Sequence, residues 1–293
     1  MQHGAQTSAP GAPGAPRVAA ASESAYSPTE RPPHRERNVG AVNGPAPTGR
    51  VDGSCVGDVK DADGIGAHVE VWIVDLTDEA ISEPRVSYLL DPEERRRAQA
   101  RTGVGRRRYV ASHAALRMIL ATTLGVEAES LRFGRTCGRC GGHDHGRPWT
   151  VGATSTSFSL GHSGDRSIVA LSGGVPLGAD IEEVRPRVHL DRLALRVLDG
   201  DERSEWSALS GRRALVSFLE AWTAKEAYLK ATGEGISRPL AEVSRRAPKG
   251  WSVARPDVGG GYVAAVVAQA ATLRISSRAW IATAAGPSRG APA

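Results

Sequence analysis

Two stretches of this chain follow one plan. From Leu90-Asp91 the sequence reads DPEERRRAQARTGVGRRRYVASHAALRMILATTLG, and from Leu198-Asp199 it reads DGDERSEWSALSGRRALVSFLEAWTAKEAYLKATGEG. Each runs from Leu-Asp through an acidic and basic turn and a Gly-Arg-Arg to a periodic apolar segment. That segment stops at Gly125 or Gly233, about 34 residues after its Asp. Duplication is the economical explanation of such self-similarity. With strands on either side, it predicts an α/β (α+β) chain of two similar halves, packed in one monomer as a pseudo-dimer. A cleft between the halves is a natural ligand site.

The flanking pattern fills in the elements. VEVWIVDL, from about His68, alternates as a strand with Val69, Val71 and Ile73 on one side and Trp72, Val74 and Leu76 on the other. Apolar on both faces, it belongs in the interior. Pro92 marks a helix start, and YVASHAALRMILATTLG a second helix that Gly125 terminates. A Gly- and His-rich loop follows, then strands around Phe158 and over Ile168 to Leu171, a Gly173-Gly174 turn and the strand VPLGADIE. Strands around Tyr262 to Ala268 and Leu273 to Ala282 close the second half. The expected boundaries are an extension over 1–66, an N-terminal half over 67–172, a C-terminal half over 173–285 and a tail over 286–293.

The extension is rich in Ala, Gly, Pro, Ser and charge, with few clustered aliphatics to offset the entropy of ordering, and is expected to be disordered. It has no apolar core like that of a secretory signal. No later stretch approaches the roughly 18 apolar residues of a membrane span. Three cysteines are too few for a disulfide framework and suggest a reducing cytoplasm. The net charge of +5 suits an anionic partner. Much of the basic excess lies in Glu93 to Arg108, so the anion is expected near there.

The stretch FLEAWTAKEAYLKATGEGI then raises a problem of charge. At roughly 100° per residue, Leu215, Phe218, Leu219 and Leu229 fall within about 60° of Trp222 and form a buried stripe, and Glu226 lands among them. Lys230, one turn on, lies at the edge of the same face, while Glu220, Ala224, Ala227 and Ala231 fall opposite. A buried carboxylate needs a cation, either Lys230 itself or a metal. In VPLGADIEE, period-two alternation puts Val175, Leu177, Ala179 and Ile181 on one face, and turns Gly178, Asp180 and Glu182 to the other. Asp180, Glu182 and Glu226, without His or Cys, make an oxygen site suited to Mg²⁺, which commonly joins carboxylates to substrate phosphates. One of these carboxylates could also take a proton from an attacking hydroxyl.

Further candidates fit a phosphate ligand. His162 and Ser163 in the turn FSLGHSGD offer an imidazole and backbone amides, and Arg147 and Arg108 are candidate phosphate forks. Cys137, Cys140, His143 and His145 have zinc-ligand chemistry at a cramped spacing. The reading preferred for that segment is a flexible loop that delivers Arg147.

GADIEEVRP resembles the G-[IV]-D-x-E strand of the Sfp-type 4′-phosphopantetheinyl transferases, and WTAKEAYLK resembles their W-x-x-K-E-x-x-x-K helix. The two stand in that order about 45 residues apart, after a G-H-S turn and a G-R-P loop, in a resemblance that covers roughly His68 to Thr283. It implies the pseudo-two-fold fold of that family. It also implies transfer of phosphopantetheine from coenzyme A to a serine of acyl or peptidyl carrier proteins, as in polyketide or nonribosomal peptide assembly. Asp180, Glu182 and Glu226 would hold Mg²⁺, with Glu226 or Glu182 as general base and Lys230 at the departing phosphate. His162 and Arg108 would meet the 3′-phosphate, Arg147 would lie near the adenosine, and the helix after Pro92 would receive the carrier protein. Gly161 replaces the serine of the usual S-H-S, and Ala179 the usual Ile or Val.

Two rival classes share parts of this pattern. A basic nucleic-acid module would use the Arg runs and the C-x-x-C loop but leaves the converging acids unexplained. A Mg²⁺ phosphohydrolase of another fold would share the acids but has no need of duplicated halves. The expectation is therefore a transferase that binds neither nucleic acid nor membrane.

Overall fold

The computed structural model describes residues 66–282 except 144, 145, 154, 236 and 237, so the extension before Gly66 and the tail lie outside the described residues. Strand β1 (Gly66–Asp75) is apolar on both faces, as its alternation requires, and sits inside a four-stranded sheet. The sheet order is β4 (Ser157–Ser163), β5 (Arg166–Ser172), β1, β9 (Thr272–Trp280). β1 runs antiparallel to β5 with Trp72 opposite Val169, and parallel to β9 with Val69 opposite Ile275. The last strand of the chain thus pairs with the first one described. A second sheet holds β6 (Leu177–Glu183), β8 (Tyr262–Ala268) and β7 (Ser252–Ala254), with β8 in the middle.

Burial explains the layering. Trp72, Val74 and Leu76 on one face of β1 pack with Tyr109, Ala114 and Leu120 of α3 (Gly103–Leu124). Val69 and Val71 on the other face join Leu177, Ala179 and Ile181 of β6, with Ala264 and Val266 of β8, in a core between the sheets. On the far side of the second sheet, Ala224 and Ala227 of α6 (Gly211–Thr232) pack on Ala265 and Val267. The layers are helix, sheet, sheet, helix. The helical period places Ala224, Ala227 and Ala231 opposite the Trp222 stripe; in the structure they too are buried, because their small side chains let α6 settle onto β6 and β8. The approach is closest at Gly178, where a Cβ would stand 2.0 Å from the Ala227 carbonyl oxygen.

The repeat is visible residue by residue. Asp91 caps α2 (Pro92–Gln99) in a reciprocal box with Glu94, and Asp199 caps α5 (Gly200–Ser207) in the same box with Glu202. Gly103 and Gly211 begin the two long helices, two residues before the Gly-Arg-Arg in the first copy, and Gly125 and Gly233 end them in the left-handed conformation. At equivalent places within these helices stand two cations with no exposed side-chain surface. Arg117 binds Glu94 at 2.7 Å and Asp91 at 2.9 Å, and Lys225 binds Glu202 at 2.5 Å and the Val197 carbonyl at 2.6 Å. Each cation fastens a long helix to the capping box of the short helix before it.

The halves also differ. The first has a short helix α1 (Glu83–Val86) between β1 and α2, and a hairpin of β2 (Phe133–Thr136) and β3 (Arg147–Thr150), where the sequence suggested only a loop. The second contains α4 (Leu190–Val197) between β6 and α5. No helix among the described residues is long and apolar enough to cross a membrane.

Candidate active site

β6 leans against β4 on one side and α6 on another, so two strands and a helix converge on one cavity of about 520 Å³. A hydrogen bond from the Ala179 N–H to the side-chain Oγ of Ser159, at 2.9 Å, ties β6 to β4. Gly161 allows the same approach, since a Cβ there would lie 3.2 Å from the Ala179 oxygen and the Asp180 Cα. The serine hydroxyl expected at that position has no room without a shift of β6.

Period-two alternation puts Asp180 and Glu182 on the α6 side of β6, as the sequence predicted, and both are buried. Glu226 and Lys230 stand one helical turn apart on α6 and line the same cavity. Lys230 does not pair with its i−4 neighbour. Its Nζ donates to Asp180 Oδ1 at 2.7 Å, to the Ala179 carbonyl at 3.1 Å and to that of Leu160 at 3.4 Å. This leaves Glu226 with no hydrogen bond or ion pair to any described residue, although only 7% of its surface is exposed. Asp180 Oδ2 is likewise buried without a partner. Burial pushes the carboxyl of Asp180 up to about 7 and raises that of Glu226 above its ordinary value. Lys230 opposes this, while the Glu182 charge, joined by that of Glu226 in the case of Asp180, adds to it.

Glu182 is held differently. Ser163 Oγ donates to its Oε2 at 2.8 Å, and Arg187 Nη2 donates to the same oxygen at 2.7 Å. Ser163 therefore anchors Glu182 instead of lining the cavity. Arg187, just past β6, escaped the sequence reading, although an arginine five residues after a buried acid is a natural counter-charge.

These acids fit a hard cation: the donors are all oxygens, one carboxylate oxygen is orphaned and another carboxylate is unpaired. As the side chains stand, no group of three His, Cys, Asp or Glu among the described residues is arranged to hold an ion; the ammonium of Lys230 occupies Asp180 instead.

His162 on β4 lines the cavity with its Nε2 buried and unpartnered. Burial first, then the positive charges of His113, Lys230, Arg101 and Arg108, push its pKa down to about 3, so the ring is neutral. Arg147 on β3 also lines the cavity, where burial lowers the proton affinity of its guanidinium. The structure does not bring Arg108 to the lining; it pairs with Asp165 at 2.8 Å, beyond β4. The lining arginines are Arg135, Arg139 and Arg147, from the hairpin and its loop, whereas arginines of the run Glu93 to Arg108 are engaged elsewhere, as in the pairs of Arg97 with Glu93 and Arg106 with Glu83. Cys137 and Cys140 line the cavity too, and Gly138 N–H bonds to the Gly233 carbonyl at 3.1 Å, docking that loop on the end of α6. His145, the fourth member of the zinc-like set, lies outside the described residues.

Sequence reasoning also missed His113. It lines the cavity from α3 with Nδ1 2.9 Å from Glu94 Oε1. The signal was the one that drew attention to Glu226: a polar side chain among the apolar residues of a helix, here near Tyr109 and Leu116.

Comparison with known proteins agrees with this arrangement. The family model for the 4′-phosphopantetheinyl transferase superfamily matches residues 176–284, which include β6 and α6. The protein slr0495 of Synechocystis sp. is 33% identical over 163 residues, covering 55% of this chain and 63% of that protein. The 4′-phosphopantetheinyl transferase HetI of Nostoc sp. is 34% identical over 136 residues, 45% of this chain and 54% of HetI. Both matches thus span less than two thirds of those relatives. The 4′-phosphopantetheinyl transferase AcpT of Salmonella typhi is 32% identical over 158 residues, 54% of this chain and 74% of AcpT. With the acids and the lysine of the two matching motifs gathered on one cavity, and most of AcpT matched, the chain belongs to the 4′-phosphopantetheinyl transferase superfamily.

Proposed function

We propose that this protein transfers the 4′-phosphopantetheine group of coenzyme A to a serine of acyl or peptidyl carrier protein domains, releasing 3′,5′-ADP, with Mg²⁺ as cofactor. The observation that carries the reading is the surplus of acid on the cavity wall: Glu226, with no hydrogen bond or ion pair to a described residue, and Asp180, with one orphaned oxygen, share the single ammonium of Lys230. Such a wall is suited to a cation that arrives with an anionic substrate.

Asp180, Glu182 and Glu226 are the residues that would hold Mg²⁺, whose charge would neutralise the pyrophosphate. Glu226 is the favoured general base. Its proton affinity is raised towards that of a useful acceptor, and no hydrogen bond ties it down, whereas Oε2 of Glu182 already accepts two. In the step itself, serine Oγ forms a bond to the pantetheine-side phosphorus as the bond from that phosphorus to the bridging oxygen breaks. The serine proton passes to Glu226, and 3′,5′-ADP departs with the oxygen. Lys230 can donate to the departing phosphate by exchanging its longest bond, that to the Leu160 carbonyl.

The division into halves at 67–172 and 173–285 belongs to the same reading and draws support from the two matched capping boxes and buried cations. The pairing of β9 with β1 then stitches the second half to the first. Polyketide or nonribosomal peptide carrier domains are the proposed acceptors.

Intact mass spectrometry of an apo carrier domain incubated with the protein, coenzyme A and Mg²⁺ tests the proposal. A gain of one phosphopantetheine arm that EDTA abolishes is the expected result. No gain across acyl, polyketide and peptidyl carrier domains refutes it.

A further inference from the structure

We propose that His113 is a ligand-binding residue of the cavity, oriented through Nδ1 by Glu94 so that Nε2 meets the 3′-phosphate of the bound coenzyme A. This assignment rests on the coenzyme A reading above.

Three features of the structure carry it. His113 is fixed before any ligand arrives. Glu94 holds Nδ1 at 2.9 Å, and is itself held by Arg117 and by its capping bond to the Asp91 N–H, while the ring stacks on Tyr109 with centroids 4.1 Å apart. No other hydrogen bond links this ring to a described residue, so Nε2 remains for whatever enters the cavity that His113 lines.

The surroundings also select an anion. Lys230, Arg101 and Arg108 act on the neighbouring ring of His162, whose Nε2 lacks a partner. The carboxylates Asp180, Glu182 and Glu226 belong to β6 and α6, whereas the two histidines belong to β4 and α3. A phosphomonoester dianion is repelled by the acid wall and accepted by the histidine wall. Nδ1 of His113 faces Glu94, which leaves Nε2 to face that dianion.

Finally, α3 has few alternatives. Arg108, the other cation considered on this helix, is engaged by Asp165 and does not line the cavity.

The test is titration calorimetry of the full chain with coenzyme A and with 3′-dephospho-coenzyme A, for wild type and for His113→Gln and His113→Asn. We expect the variants to bind coenzyme A about tenfold or more weakly, as loss of a charge-assisted hydrogen bond implies, and to bind the dephospho form within about twofold of wild type. Equal weakening towards both nucleotides overturns the assignment and marks His113 as structural. Unchanged affinity for coenzyme A overturns it too, as does a wild type that binds both nucleotides equally well. A wild type that binds neither nucleotide overturns the coenzyme A reading and this assignment together.

Discussion

Replacing His162 with Gln should remove a large part of the acid sensitivity of this protein. The ring is half-buried with its Nε2 enclosed, and its pKa falls from 6.5 to about 3 in the folded chain. A base with a depressed folded pKa binds fewer protons folded than unfolded between the two values, so its contribution to stability is intact above 6.5 and is lost as pH falls towards 3. At pH 5 the unfolded ring is almost wholly protonated and the folded ring almost wholly neutral, which makes the loss relative to pH 8 about 2 kcal/mol. That figure depends on the unfolded pKa and hardly on the folded one, provided the latter stays below about 4. Urea denaturation at pH 8 and pH 5, both in EDTA, gives the two stabilities for wild type and variant. Wild type should lose about 2 kcal/mol more than His162→Gln between these conditions. Parallel losses in the two proteins, to within about 0.5 kcal/mol, would refute the picture of a neutral, dry imidazole on the cavity wall.

Other perturbations separate chemistry from scaffold. Glu226→Gln should lower the rate of carrier modification by about a hundredfold or more while the melting temperature stays level or rises, because it removes a proton acceptor and an unpaired buried charge together. Lys230→Ala should reduce turnover more than coenzyme A affinity in steady-state assays of carrier modification; an unchanged rate would make Lys230 only a structural counter-ion for Asp180. Arg187→Ala leaves Glu182 buried with Ser163 alone and should destabilise the EDTA-treated protein by about 3 kcal/mol in urea denaturation. Arg187→Ala with Glu182→Gln should recover much of that loss, which full additivity of the two changes would contradict.

What could be read from the sequence was what local rules govern. Alternation turned Asp180 and Glu182 to one side of β6, and the helical period brought Glu226 and Lys230 to one face of α6; both hold in the structure. Partner choice was not legible, because it depends on which element packs opposite. Lys230 finds Asp180 on β6 and not Glu226 on its own helix, and Arg187 reaches back to Glu182 from beyond the strand. The alanines of α6 show the same limit: helical period alone put them opposite the apolar stripe, but a residue that small invites a sheet to close on it, as Gly178 and Ala227 show.

The repeat suggests how one scaffold came to bear two kinds of wall. Asp91 with Asp199, Glu94 with Glu202 and Arg117 with Lys225 keep the same roles at one constant spacing, so the bracing of helix to capping box tolerated little change between the copies. At that same spacing Glu226 corresponds to Met118, Lys230 to Thr122, and His113 to the buried Ala221. The braced positions are those where removal of one partner leaves a buried charge alone, at a cost of about 3–5 kcal/mol. Glu226, by contrast, lines the cavity with no hydrogen bond or ion pair to a described residue, and a ligand can complete it. Differences between the two stretches should therefore collect where the partner comes from outside the chain, as at Glu226 against Met118.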